Sequence, residues 1–438
     1  MPSDYLWNNS NTDAPSAQLM AFLAGTDIEW DQHLMAYDIE GTLAHVFGLH
    51  HIGILDDAEY EAMSAALKQL HHNWKIGEFK LDQRYEDSHS AIEAYLQEQL
   101  GSLGQKVHTG RSRNDQVLTA LRLYMRAQLQ QIQQLSATVA EHSLDLAATE
   151  IKTAMPGHTH LQKAMPTTVG IWLAGFAEAM VDDLGLLNYI EQHLNSSPLG
   201  SAAGFGVPLP LARTEVASYM DFERVQVNPV YVQNSRGKFE LLLLQSLHQI
   251  MLNIQRLCWD ISVFSTQEFG YLRLAADFST GSSIMPNKSN PDVIELMRGS
   301  MSIITADITQ LQSLLALPSG YQRDLQLTKG PVIRSSRLLI QILQLLPGVL
   351  SALQFDRHRM QEAITTEMML TDAAIQAAQS QSNFRQAYQQ AKETGESSVS
   401  WQQSLDNRVS LGGAANPGLD LIRQRLAVTG SEMKKSIP

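Results

Sequence analysis

A single cysteine, Cys258, occurs in 438 residues. No intrachain disulfide can form, and no zinc site built on cysteines, which suits a reducing compartment. Basic residues are also short: 32 against 45 acidic side chains leave a formal net charge of -13. That argues against a surface made to hold nucleic-acid phosphates non-specifically. It leaves room for an anionic small molecule, because one local basic pocket is enough. Long apolar runs are missing. The richest windows, 338–353 and 169–181, are broken by Gln341, Gln344 and Pro347 or by Glu178, so neither reads as a membrane span. The start, MPSDYLWNNSNTDAP, has no basic region followed by an apolar run, so no secretory leader is expected. These absences together predict a soluble cytoplasmic protein.

Strand signals are scarce, and so are the usual nucleotide and hydrolase motifs. There is no P-loop, no G-x-G-x-x-G after a strand, no H-E-x-x-H and no G-x-S-x-G. What is abundant is helix free of breakers. Residues 111–155 hold neither glycine nor proline, and Leu118, Met125, Ile132, Val139 and Leu146 recur there at sevens. Leu121 and Leu135 fill two slots of the second heptad position, with Gln128 and His142 in the remaining two, which makes a helix-packing seam. At 1.5 Å per residue such a helix approaches about 60 Å. Further stretches run over 238–269, over 292–317 with one tolerated glycine, and over 332–346 up to Pro347-Gly348. The fold class is all-α, with a central bundle of very long helices whose seams need partners from other subunits. Shorter helices flank it, giving an N-terminal domain over 1–110, a central domain over 111–361 and a small C-terminal domain over 362–438. A loop is expected over 395–400 and a frayed MKKSIP tail.

Four segments between helices are dense in polar groups. Gly281 to Pro291 (GSSIMPNKSNP) ends where a helix should begin, and its hydroxyls, ammonium and amide suit a carboxylate. The same composition fits a helix-capping loop. His108 to Gln116 (HTGRSRNDQ) puts two arginines at a helix N-terminus, against the helix dipole. Either an external anion or neighbouring acids must explain them. Gly157 to Lys163 (GHTHLQK) carries two histidines at a spacing unlike a helical metal pair. They read as a general acid or base, or as packed loop histidines. Tyr321 to Lys329 (YQRDLQLTK) offers hydrogen-bonding groups on a short segment and, taken singly, reads as a solvated loop.

The first segment resembles the GSSxMPxKxNP signature of the fumarase/aspartase superfamily. The other three resemble segments of argininosuccinate lyases, in that family's order along nearly the whole chain. The resemblance implies a three-domain fumarase/aspartase-like fold. It implies cleavage of argininosuccinate to arginine and fumarate by β-elimination, without cofactor or metal. The expected assembly is a homotetramer, with each site shared between three subunits. On that resemblance Ser282 is the base, acting as an alkoxide held by N–H donors and positive charge. Lys288 and Asn290 stabilise the aci-carboxylate, and His160 is a catalytic histidine with Glu295 as its carboxylate partner. Arg113, Asn114 and Thr159 hold the succinyl carboxylates, and Tyr321, Gln326 and Lys329 recognise the arginine side. Asp31, His89, Gln162 and Ser283 complete the substrate-contact set. The glycine and polar content of the serine loop suggests a lid. Asp27 stands where many relatives carry serine, and the stretch 233–239 departs from the usual pattern, with Arg236 placed near the site. Two alternatives stay open: another fumarate-releasing lyase of the superfamily, or a non-catalytic structural protein on the same scaffold.

Overall fold

A computed structural model describes residues 17–82, 84–381 and 383–435. The segment read for a leader, and residues 436–438 of the tail, lie outside the described residues. Two compact units emerge from the contact pattern: residues up to 127 with 192–241 and 310–333, and residues 128–191 with 242–309 and 334 onward.

The first unit holds α1 (Ala17–Ala24), α2 (Asp27–His51), α3 (Asp57–Lys75), α4 (Ser88–Leu100) and the start of α5 (Arg113–Thr149). Its core forms where Met35, Ile39, Val46 and Leu49 of α2 meet Met63, Leu67 and Leu70 of α3 and Ile92 and Leu96 of α4. Burying each such side chain is worth about 1.5–3 kcal/mol. Capping fixes the helix starts. Asp56 accepts from the Glu59 N–H at 2.9 Å and Asp87 from the Ser90 N–H at 2.7 Å, each within a capping box. The Asp87 cap places His89 in the first turn of α4, facing the interior. Gly48 admits α7 (Arg213–Tyr219) to α2, since a Cβ there would lie 2.6 Å from a Val216 methyl. The short α8 (Pro229–Asn234) follows.

The second unit holds the remainder of α5, most of α6 (Val169–Leu194) and α9 (Lys238–Phe264), and the bulk of α10 (Asp292–Leu314) and α11 (Lys329–Ser351). At 37 residues, α5 is about 55 Å long. Leu118, Leu121, Met125, Ile132 and Val139 are buried, and Leu135 and Leu146 half-buried, so the seam read from the sequence is an interior stripe. On α10, Ile294, Met297, Met301, Ile304 and Leu311 are buried along one face, while Leu296 and Ile303 stay exposed. Asp307 of α10 is buried and accepts from the Ser335 hydroxyl of α11 at 2.6 Å and from Arg334. No helix is long and apolar enough to cross a membrane among the described residues.

The structure corrects some boundaries. α11 starts at Lys329 and runs through Pro347 instead of stopping there. Pro347 costs the helix one N–H donor and crowds the carbonyl one turn before it, and Gly348 leaves room for the Phe278 ring, which a Cβ would meet at 3.0 Å. α9 ends at Phe264, where the Ser265 and Thr266 hydroxyls take the carbonyls of Ser262 and Val263 and compete with further helix. The loop expected over 395–400 opens at Gly395, left-handed at φ 63°, which closes a helix over Phe384–Thr394. The last helix continues to Lys435, so its lysines are helical rather than frayed. The two-stranded sheets among the described residues, four in number, are short. The largest, β1 (Ala154–Thr159) with β2 (Gln162–Thr168), went unseen because its sequence holds two prolines and a glycine and little alternation.

One buried carboxyl gives a pH test. Asp183 of α6 accepts from the Asn253 amide of α9 at 2.8 Å, and burial pushes its pKa up to about 6. A carboxyl raised in the folded state contributes stability below its unfolded pKa, and loses it as pH rises through the folded value. Asp183→Asn therefore gives a protein more stable than wild type at pH 7, the difference vanishing toward pH 4. Denaturation midpoints measured at both pH values check this. An equal gain at pH 4 would trace it to something other than the charge.

Candidate active site

Two of the four polar segments meet the implied α2 and α4 residues in the first unit, and the other two lie apart from each other in the second. In the first unit, Asp31 lies on the buried face of α2. Its Oδ1 takes the Lys329 ammonium at 2.6 Å, and its Oδ2 accepts the Ser88 N–H at 3.1 Å. Lys329 also stands 3.4 Å from Asp27 and is 1% exposed. Burial alone would lower the Lys329 pKa, but the two carboxylates outweigh it and raise it. Asp27 moves up, because its burial exceeds the help from Lys329. At the next residue of α4, His89 Nδ1 meets Asp38 Oδ2 at 2.5 Å. Burial opposes the imidazolium, yet Asp38 overcomes it and raises the His89 pKa. Asp38 in turn accepts from the Ser88 hydroxyl at 2.7 Å and the Gln116 amide at 2.9 Å.

The arginine pair at the start of α5 divides. Arg113 donates through Nη1 to Glu86 at 3.0 Å and to Asp87 at 3.4 Å, so neighbouring acids hold that one nitrogen of its guanidinium. Arg111 is buried and donates to the Thr42 hydroxyl at 2.9 Å, while its Nε and Nη2 have no partner. Asn114 is half-buried beside them. Asp115 accepts the N–H groups of Ser112, Gly200 and Ala202 at 2.8–3.0 Å, and burial pushes its pKa up to about 6. It ties the glycine-bearing stretch near 200 to the start of α5. In the Tyr321–Lys329 segment, the Gln326 amide oxygen accepts from Arg236 Nη2 at 2.9 Å, and its nitrogen stands 3.4 Å from the Tyr321 hydroxyl. The Arg236 guanidinium lies over the Tyr321 ring, 5.5 Å from its centroid. This segment is therefore not a solvated loop: Lys329 and Arg236 are both buried.

In the second unit, β1 and β2 form a hairpin whose tip is His160-Leu161. Thr159, His160 and Gln162 are all exposed there. The register Thr159↔Gln162 makes it a two-residue turn, and a bulge interrupts the ladder between Pro156 and His158. Gly157 is required at that bulge, since a Cβ would lie 2.8 Å from the Met165 carbonyl oxygen. The serine loop is pinched at its base by β3 (Thr280–Gly281) pairing with β4 (Ser289–Asn290), so residues 282–288 project as one exposed excursion with Ser282 partly sheltered. Ser282 Oγ accepts two backbone N–H groups, from Met285 at 3.0 Å and from Ile284 at 3.3 Å. Ser283, Lys288 and Glu295 are exposed, Asn290 is half-buried, and Glu295 sits in the first turn of α10. Among the described residues, no hydrogen bond or ion pair of this chain joins His160 to Ser282, Lys288 or Glu295.

Residues 17–305 match a family model described simply as lyase. An argininosuccinate lyase of Xanthomonas oryzae pv. oryzae is 43% identical over 97% of this chain and 99% of its own. One from Stenotrophomonas maltophilia is 44% identical with the same coverage. The chain belongs to the argininosuccinate lyase family. Its fold agrees with more distant solved structures. EDDS lyase in complex with formate superposes with a TM-score of 0.76 at 23% identity, over 97% of this chain and 91% of that one. A class II fumarase from Schistosoma mansoni gives 0.71 at 15% identity, over 91% of each. As a member of this lyase family the chain is an enzyme, with the all-α, long-helix fold expected of it. Within that frame, Asp38, Ser88 and Gln116 escaped the sequence reading. The signal available was Asp38 seven residues after Asp31, which puts two carboxylates on one face of a helix that faces a core.

Proposed function

We propose that this lyase cleaves argininosuccinate to L-arginine and fumarate by β-elimination, as the last step of arginine biosynthesis, in the cytoplasm and as a homotetramer. The likeness to named argininosuccinate lyases over nearly the whole chain supports the substrate. The observation that carries the chemistry is Ser282. A free serine hydroxyl is far too weak to deprotonate carbon next to a carboxylate. Two backbone N–H donors on its oxygen stabilise the alkoxide form and so raise the fraction of Ser282 that is ionised. The Ser282 alkoxide takes the proton from carbon, the electron pair enters the adjacent carboxylate, and Lys288 and Asn290 stabilise that dianion. The C–N bond then breaks, its electrons leave with the guanidino nitrogen, and that nitrogen gains a proton. His160, supported by Glu295, serves this half of the reaction.

Thr159, Arg113 and Asn114 hold the succinyl carboxylates, with Gln162 and Ser283 beside them. Asp31, Tyr321, Gln326 and Lys329 receive the amino-acid end, and His89 orders the wall behind them. The exposed hairpin and the exposed serine loop come from different subunits, so three chains complete each site. Exposed Leu296 and Ile303 on α10, Trp259 on α9 and Leu345 on α11 support such an assembly. The domains in this reading are 1–110, 111–361 and 362–438. The test is a panel of argininosuccinate, adenylosuccinate and aspartate at equal concentration, followed by fumarate absorbance. Release from argininosuccinate alone is expected. Faster release from another adduct replaces the substrate, and no release from any of them in a folded assembly favours the structural-protein alternative.

A further inference from the structure

A two-residue hairpin turn of type I′ places both central residues at positive φ to match the strand twist, which is why Asn-Gly and Asp-Gly dominate such turns. Here the pair is His160 at φ 55° and Leu161 at φ 57°. Left-handed backbone is disfavoured for any residue with a Cβ, and Leu gains nothing from the local side-chain hydrogen bonds that excuse Asn and Asp. Among the described residues, only these two adjacent non-glycine residues share positive φ. The fold of the chain does not need Leu161. It is 71% exposed, between exposed Thr159 and His160 on one side and exposed Gln162 and Lys163 on the other. It borders a cleft of about 710 Å³ with Lys163, Phe269 and Tyr271, a lining that does not include His160. The strands beneath are firmly held. The register locks directly under the turn, the bulge at Gly157 aims the tip, and Arg357 holds Thr153, just before the first strand, at 3.3 Å and Glu150 at 2.8 Å. Strain therefore concentrates at the tip, on the histidine and its neighbour.

We infer that Leu161 is a positioning residue for His160: with the strand register holding the turn left-handed, its Cβ leaves only a narrow well at positive φ and so fixes the direction of the imidazole. Glycine there would relieve the strain and let the turn sample other geometries, which loosens the ring. The inference rests on the role given to His160 above. The experiment compares full-length Leu161→Gly and Leu161→Asn with wild type, reading melting temperature, assembly size, kcat and KM for argininosuccinate. Leu161→Gly is expected to melt at or above wild type with unchanged assembly, while kcat falls about 10–10²-fold and KM moves by less than about threefold. Leu161→Asn keeps a Cβ and tolerates left-handed backbone, so it recovers most of kcat. Wild-type kcat in Leu161→Gly overturns the inference. So does a lower melting temperature or lost assembly in that variant, which would make Leu161 a packing contact. If wild type itself releases no fumarate from argininosuccinate, the functional reading falls and this one falls with it.

Discussion

Ser282→Ala loses turnover by about 10³–10⁴-fold or more while its far-ultraviolet spectrum and melting temperature stay at wild-type values. The magnitude follows from removing the base of a carbon-acid step, where a positioned proton acceptor contributes about 10²–10⁴. The dedicated N–H donors at its oxygen, which no other group then uses, push the effect to the upper end. The fold is spared because Ser282 lies on an excursion closed below by the pairing of Thr280 with Asn290 and Gly281 with Ser289. Only the local turn through Met285 loses an acceptor. Single-turnover fumarate release measures the loss. A variant that keeps a tenth of wild-type kcat removes Ser282 as the base.

Lys329→Met destabilises the protein by about 3–5 kcal/mol at pH 7, the size expected when one partner of a buried ion pair is removed. Lys329 and Asp31 have side chains 1% exposed each and meet at 2.6 Å, with Asp27 also at 3.4 Å. Methionine fills the volume but leaves two carboxylates without their cation. Asp27 is already raised by burial with the lysine in place; without it that burial acts unopposed. A carboxyl raised in the folded state adds stability at low pH and loses it as pH rises through the folded value. The deficit of the variant should therefore shrink on acidification from pH 7 to pH 5. Denaturant midpoints at the two pH values measure it. A deficit under about 1 kcal/mol at pH 7 would mean the pair behaves as an exposed one. Activity should fall too, since Asp31 loses the contact that fixes its carboxylate.

The long helices were legible because their information is local. Absence of breakers and a seven-residue recurrence identify α5 without reference to anything else, and the buried stripe matches the recurrence. The termini were less legible, because what ends a helix is often a competing partner, as with the hydroxyls that stop α9. Pro347 shows the converse. A proline is a stop signal in isolation, yet α11 continues past it to Ser351. The hairpin at 154–168 was hidden for a related reason: its strands are held by a glycine-dependent bulge and by tertiary neighbours, not by β-propensity.

The sequence by itself determined the class of fold and singled out the candidate reactive groups. Breaker spacing and a dense loop of hydroxyl, amide and ammonium groups are properties of residue order. What only the tertiary structure decided is how those groups are charged and aimed. Lys329, in a segment that reads as solvated, is enclosed between Asp31 and Asp27. Arg236, in an atypical stretch, holds Gln326 and covers Tyr321. Ser282 acquires two donors from its own turn, and His160 a left-handed backbone. Each of these depends on distances between atoms far apart in sequence or on a backbone angle. Coulomb and hydrogen-bond energies vary steeply with both, and residue order leaves them free.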